Sequence, residues 1–151
     1  KCVVGVDIDD DFINDANSRL VKEWEIDFRT HDMIGDGPIV EGFDGALSLD
    51  VLEHIPKDKH GIFIGNICKS LNPEGVLVIG MPSLGSQEFA SSQSKLGHVS
   101  CMSQDEFRIS MLSYFSNVFS FSMNDEVVHT GYGPMAQYLL CVCCAPKLNI
   151  N

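Results

Sequence analysis

Phe43-Asp44-Gly45-Ala46-Leu47-Ser48-Leu49-Asp50-Val51-Leu52-Glu53-His54-Ile55 runs from an apolar stretch to a carboxylate and then to Leu-Glu-His. Phe43 to Leu49 has the length and bounded apolar character of a buried strand, and Asp50 ends it. From about Pro56 to Leu71, the positions Ile64, Ile67, Cys68 and Leu71 share one helical face. Asn72-Pro73-Glu74-Gly75 are turn formers, and Val76 to Gly80 reads as a second strand stopped by Pro82. A strand, a crossover helix and a strand in this order predict a parallel pair in an α/β sheet.

The same rhythm extends in both directions. Cys2 to Ile8 reads as another buried strand, followed by Asp9 to Asp11 as an N-cap with acids suited to the positive end of a helix dipole. A helix to about Glu25 is expected, with Ile13, Ala16, Leu20 and Trp24 on its inner face. A short strand from Ile26 to Arg29 comes next. On the other side, the Ser-, Gly- and Gln-rich stretch 83–100 has little periodicity and reads as a lid or substrate loop. Ser103 and Glu106 form a capping box opening a helix to about Phe115. Val118 to Met123 and Tyr138 to Ala145 complete the strands, joined by a connection too long for a tight hairpin.

A length of 151 residues suits one domain, and 44% hydrophobic with 21% charged residues suits a globular chain. No apolar run approaches the ~20 residues that span a bilayer. Twenty-one acids against ten Lys plus Arg leave a net charge of −11, which opposes the phosphate neutralisation that nucleic-acid binding requires. Neither a membrane nor a polynucleotide is the expected partner. The six cysteines follow no disulfide spacing and no signal peptide precedes them, so they are read as reduced, in a cytoplasmic protein. In Cys141-Val142-Cys143-Cys144 a strand would turn Cys144 away from Cys141 and Cys143, so apolar packing is expected and no metal site.

Ligands of open parallel sheets bind beyond the carboxyl ends of the strands. Three acids stand there: Asp7 after Val4-Gly5-Val6, Asp32 after Arg29-Thr30-His31, and Asp50. A carboxylate at Asp7 can accept both ribose hydroxyls or merely cap a helix.

Together, Val4-Gly5-Val6-Asp7-Ile8, Asp32, the 43–55 segment and Leu71-Asn72-Pro73-Glu74-Gly75-Val76-Leu77-Val78-Ile79 resemble the class I S-adenosylmethionine-dependent methyltransferases of small-molecule type. The likeness is strong over about residues 2 to 82. It implies a single methyltransferase-like domain over 1–151 with a Rossmann-like open sheet, mostly parallel, whose last strand is antiparallel. It implies that Asp7 binds the ribose diol, Ile8 lies against the adenine, Asp32 meets the adenine amino group with Met33 beside the ring, and Ser48, Leu49 and Asp50 lie near the methionine portion. His54 occupies the family's common Glu-His position, where local packing is the simpler role. The family's first strand and Gly-rich loop have no counterpart, since no GxGxG-like motif occurs. The chain therefore reads as starting at the family's second strand, with two unpaired inner edges expected.

Methyl transfer from a sulfonium needs alignment and often a base. His98 and His129 lie in segments expected on the substrate side, and histidine is the side-chain type suited to acid–base work at physiological pH. Each could instead be a locally bonded loop histidine. Tyr132, Tyr138, Phe89 and Met135 could wall an apolar acceptor pocket, and Asp125 and Glu126 could orient a cationic acceptor. The reading is methyl transfer to a small-molecule or carrier-linked acceptor. Its rivals are a noncatalytic methyltransferase-like scaffold and a nicotinamide-dependent oxidoreductase, whose ribose an acid like Asp7 could equally hold.

Overall fold

The computed structural model describes residues 2–40, 42–124, 127–130 and 133–147. The chain separates into two compact units, residues 1–37 and 38–151.

In the first unit, β1 (Val3–Asp7) runs parallel to β2 (Ile26–Thr30), with Asp7 opposite Thr30. Between them α1 spans Asp10–Ser18, and the Asp9 carboxylate caps it by accepting from Asp11 N–H. The helix is shorter than the expected run to Glu25. Arg19 N–H turns back to the Ala16 carbonyl, and the chain continues as turns, leaving Trp24 exposed. β1 is half-exposed rather than buried, and Ile13 is the one buried residue of this unit among those described.

The second unit holds a mixed five-stranded sheet in the order β3-β4-β7-β5-β6. β3 (Phe43–Leu49) is parallel to β4 (Leu71–Pro82), and α2 (His60–Ser70) makes the crossover. The Asn72 to Gly75 turn lies inside β4 as an irregularity: pairing steps from Phe43–Leu71 to Gly45–Val76, and Asn72 Oδ1 accepts from Glu74 N–H. β7 (Tyr138–Pro146) is antiparallel to both β4 and β5 (Phe115–Asn124), as expected for the last strand. The connection between β5 and β7 contains β6 (Val127–His129), antiparallel to β5, which the sequence did not suggest. Segment 83–100 is not an open loop. It holds a 3-10 turn at Gly85–Glu88 and a short helix α3 (Ser92–Gly97). α4 (Gln104–Leu112) opens on the expected capping box of Ser103 and Glu106, and Phe115, assigned to this helix from sequence, begins β5.

The core is built on β4 and β7, where Leu77, Ile79, Met81, Leu139, Cys141 and Cys143 are buried, and Phe107 and Met111 of α4 are buried as well. β3, expected to be buried, is mostly exposed and buries only Ser48. Each of β1 and β3 pairs on one side only among the described residues. No helix among the described residues is long and apolar enough to cross a membrane. The cysteines carry no disulfide. Cys141 and Cys143 are buried while Cys144 points the other way, and burial raises the Cys141 thiol to about 11 and that of Cys68 to about 12.

Candidate functional site

The parallel pairing of β1 and β2 sets the carboxyl ends of both strands at one edge of the first unit, and Asp7 and Asp32 stand there. Asp7 Oδ1 accepts from Asp9 N–H at 2.9 Å, and Asp32 Oδ1 accepts from Ile34 N–H at 2.8 Å. Each carboxylate thus spends one oxygen on its own turn and keeps Oδ2 for other partners. The Asp32 turn is tight: a Cβ on Gly35 would stand 2.7 Å from Asp32 Oδ2. Ile8 is exposed beside Asp7, and Met33 is half-buried beside Asp32. Asp7 borders a hollow of about 220 Å³ together with Phe12, Ile13, Ala16 and Phe28; Asp32 does not line it.

In the second unit the chain leaves β3 through Asp50, whose φ of +56° is left-handed. A non-glycine residue held there costs free energy that its surroundings must offset, and such positions concentrate at functional sites. Its N–H is anchored on the Gly80 carbonyl at 3.2 Å. A 3-10 turn at Leu52–His54 follows and buries Glu53, whose side chain is 1% exposed. The turn is fastened to segment 98–100: Val99 and Ser100 N–H both donate to the Glu53 carbonyl, and Ser100 Oγ donates to the carbonyls of Leu52 and Ile55.

Three buried polar atoms in this unit lack a hydrogen-bond partner among the described residues: Ser48 Oγ, Glu53 Oε2 and the Tyr138 hydroxyl. Burial is the main cause that pushes the Glu53 carboxyl above its usual range, with the neighbouring Asp50 charge adding to it and His54 and His98 opposing. Burial likewise raises the Tyr138 phenol, and the nearby Asp50 carboxylate adds to the shift. Gly80 makes room for this ring, since a Cβ there would lie 2.6 Å from Tyr138 Cε1. Native structures leave few such groups unpaired, and orphans gathered at strand ends point to a polar ligand.

Beside them opens a cavity of about 390 Å³ lined by Gln87, Phe89, His98, Met123 and Tyr138 among others. The structure therefore brings His98, Phe89 and Tyr138 to one cavity. Met135 is exposed and does not line it; nor does His129, which sits on β6 opposite Ser122. Tyr132, Asp125 and Glu126 lie outside the described residues. His98 Nδ1 lies 2.9 Å from Gln87 Oε1, and His54 Nδ1 lies 3.0 Å from the Gly97 carbonyl. The histidine rings meet edge to face at 5.1 Å. Sequence reading missed Glu53, because a Glu inside an apolar helix-start pattern gives no sign that its carboxyl is buried.

A family model described as a methyltransferase domain matches residues 1–79. No curated protein matches the chain. Among solved structures, an S-adenosylmethionine-dependent methyltransferase from Thermotoga maritima shares 16% identity and a TM-score of 0.75, covering 95% of this chain and 72% of its own. The N-methyltransferase NodS from Bradyrhizobium japonicum shares 20% identity and a TM-score of 0.66 over 97% of this chain and 74% of its own. A Haloferax volcanii methyltransferase, solved with the Trm112 methyltransferase activator, gives 13%, 0.73, 95% and 72%. The structural matches carry the fold, the model match spans more than half of the sequence, and the chain belongs to the methyltransferase-domain family.

Proposed function

We propose that this chain transfers the methyl group of S-adenosylmethionine to a small-molecule or carrier-linked acceptor. The observation that carries the reading is the set of unpartnered buried groups, Ser48 Oγ and the Tyr138 hydroxyl, beside the left-handed Asp50 and the cavity lined by His98. When bound, the cofactor supplies a methyl group activated on a sulfonium. The residues present fit its parts: Asp7 Oδ2 can take the ribose diol, the exposed Ile8 offers an apolar surface for adenine, and Asp32 with Met33 suits the amino edge of the ring. Ser48, Leu49 and Asp50 are assigned to the methionine portion, with the Ser48 hydroxyl as the donor in want of an acceptor.

On the acceptor side, His98 is the base this reading selects. Gln87 Nε2 donates to Ser83 O and to Ser86 Oγ, which turns Oε1 toward His98 and makes His98 Nδ1 the protonated nitrogen. Nε2 then keeps a lone pair that can take a proton from an acceptor. His129 has no position in the cavity, so the base role narrows to His98. Phe89 and Tyr138 supply apolar walls that align the acceptor and exclude water.

Calorimetric titration with S-adenosylhomocysteine tests the cofactor half. Asp7→Ala should weaken binding about tenfold to a hundredfold, as expected for losing charge-assisted bonds. Wild-type protein that binds no S-adenosylhomocysteine would instead support the noncatalytic scaffold.

A further inference from the structure

Glu53, His54 and His98 each offer one ligand atom, and these atoms all lie within 4.8 Å of one another. The cluster is built rather than accidental in three respects. First, both rings are oriented by hydrogen bonds at Nδ1. The Gly97 carbonyl can only accept, so His54 carries its proton on Nδ1, and the Gln87 orientation fixes the same tautomer in His98. This is the arrangement by which proteins aim Nε2 at a metal: the far nitrogen is held by an oxygen acceptor. Second, the two segments that carry the rings are tied together through the Glu53 carbonyl and Ser100, so the donors are positioned before any ligand arrives. Third, Glu53 is buried and its Oε2 has no partner, which is an unexplained cost in a pocket of lone pairs.

Two imidazole nitrogens stripped of protons and one carboxylate are electron-pair donors gathered without a positive charge between them. From this juxtaposition we propose that Glu53, His54 and His98 form a binding site for a divalent first-row transition-metal ion. Two nitrogens and one oxygen suit an ion of the zinc, cobalt or manganese kind better than magnesium, which prefers oxygen alone. His54 Nε2 and Glu53 Oε1 stand 3.9 Å apart. A common ion at ~2.1 Å from each donor would draw them together by a few tenths of an ångström or more, which rotation of the half-exposed His54 ring allows. Three protein donors leave at least one position open, and His98 also lines the 390 Å³ cavity, so that position suits a water or an oxygen of the acceptor.

The site does not depend on the methyl-transfer reading, but it competes with one part of it. A nitrogen that coordinates a cation takes no proton, so occupancy by metal and a base role for His98 exclude each other.

The full chain, reduced and metal-free, would be titrated with Co²⁺ by calorimetry and visible absorption, without cofactor or acceptor. One ion per chain is expected, with ligand-field bands from nitrogen and oxygen donors and no thiolate charge-transfer band. His98→Ala, His54→Ala and the near-isosteric Glu53→Gln should each weaken binding tenfold or more. Circular dichroism and thermal melts of the metal-free variants should match wild type for at least the exposed His54→Ala, which keeps the comparison free of misfolding. Absence of stoichiometric Co²⁺ binding, or binding that survives His54→Ala with His98→Ala, overturns the assignment. So does a thiolate band, which would move the ion to the cysteines.

Discussion

At the scale of single residues, the unpaired buried groups and the buried His60 make distinct predictions. Tyr138 carries a hydroxyl that gains no hydrogen bond in the fold, so Tyr138→Phe should leave stability unchanged or raise it by up to about 1 kcal/mol in urea unfolding. If the hydroxyl meets an acceptor or cofactor, the same variant should lower kcat/KM, and only the pair of results separates function from packing. His60 is buried by α2, with Nε2 donating to Ile55 O at 3.0 Å and to Ser100 Oγ at 2.9 Å. Burial lowers its pKa below the ordinary value of about 6.5, against the opposing pull of backbone carbonyls. Between the folded and unfolded values the unfolded chain holds the proton and the folded chain does not. The contribution is thus present above about pH 6.5 and is lost as pH falls toward the folded value. Thermal midpoints should drop between about pH 7.5 and 5.5, and His60→Asn should flatten that slope. Of these residues, Asp7, Asp32 and Asp50 were legible because a strand end followed by an acid is a local pattern. The Glu53, His54 and His98 cluster was not, since its two histidines come from segments distant in sequence that only the fold joins, through the Glu53 carbonyl, Ser100 and the His54–Gly97 bond.

Among elements, the capping box of α4 shows how far local chemistry decides structure. Ser103 Oγ receives Glu106 N–H while Glu106 receives Ser103 N–H at 2.9 Å, and this reciprocal pair is written in the sequence. Ser103→Ala should cost about 1 kcal/mol, read as a lower urea midpoint with an unchanged slope. The bonds from Ser103 also hold the Glu106 carboxyl below its usual range, so acidification should weaken the cap as Glu106 protonates. α1 marks the opposite case. Leu20 and Trp24 continue the apolar period of Ile13 and Ala16, yet the helix ends at Ser18 because too little of that face finds cover: Trp24 is exposed. β6 escaped notice for a related reason, as Val127-Val128-His129 is too short for alternation to register and exists through its pairing with β5.

For the molecule as a whole, stability is unevenly spread. Residues 2–37 bury only Ile13, whereas β4, β7 and β5 carry half of the buried apolar residues of the second unit. Amide hydrogen exchange should therefore be slowest in β4 and β7 and faster by orders of magnitude in β1, α1 and β2. Truncating Ile79, fully buried in β4, should cost about 2–5 kcal/mol as Ile79→Ala, measured by chemical unfolding. The family likeness already implied two unpaired inner edges, and β1 and β3 each pair on one side only among the described residues; the strand order within the second unit was not legible, because it is a matter of pairing rather than of side-chain pattern. The place of β7 has one more consequence. It is the last described strand to leave the ribosome, yet it lies between β4 and β5, which therefore wait with bare hydrogen-bonding edges until it arrives. A nascent chain halted before Tyr138 would expose both edges at once, which makes late translation the interval in which this protein most needs a chaperone.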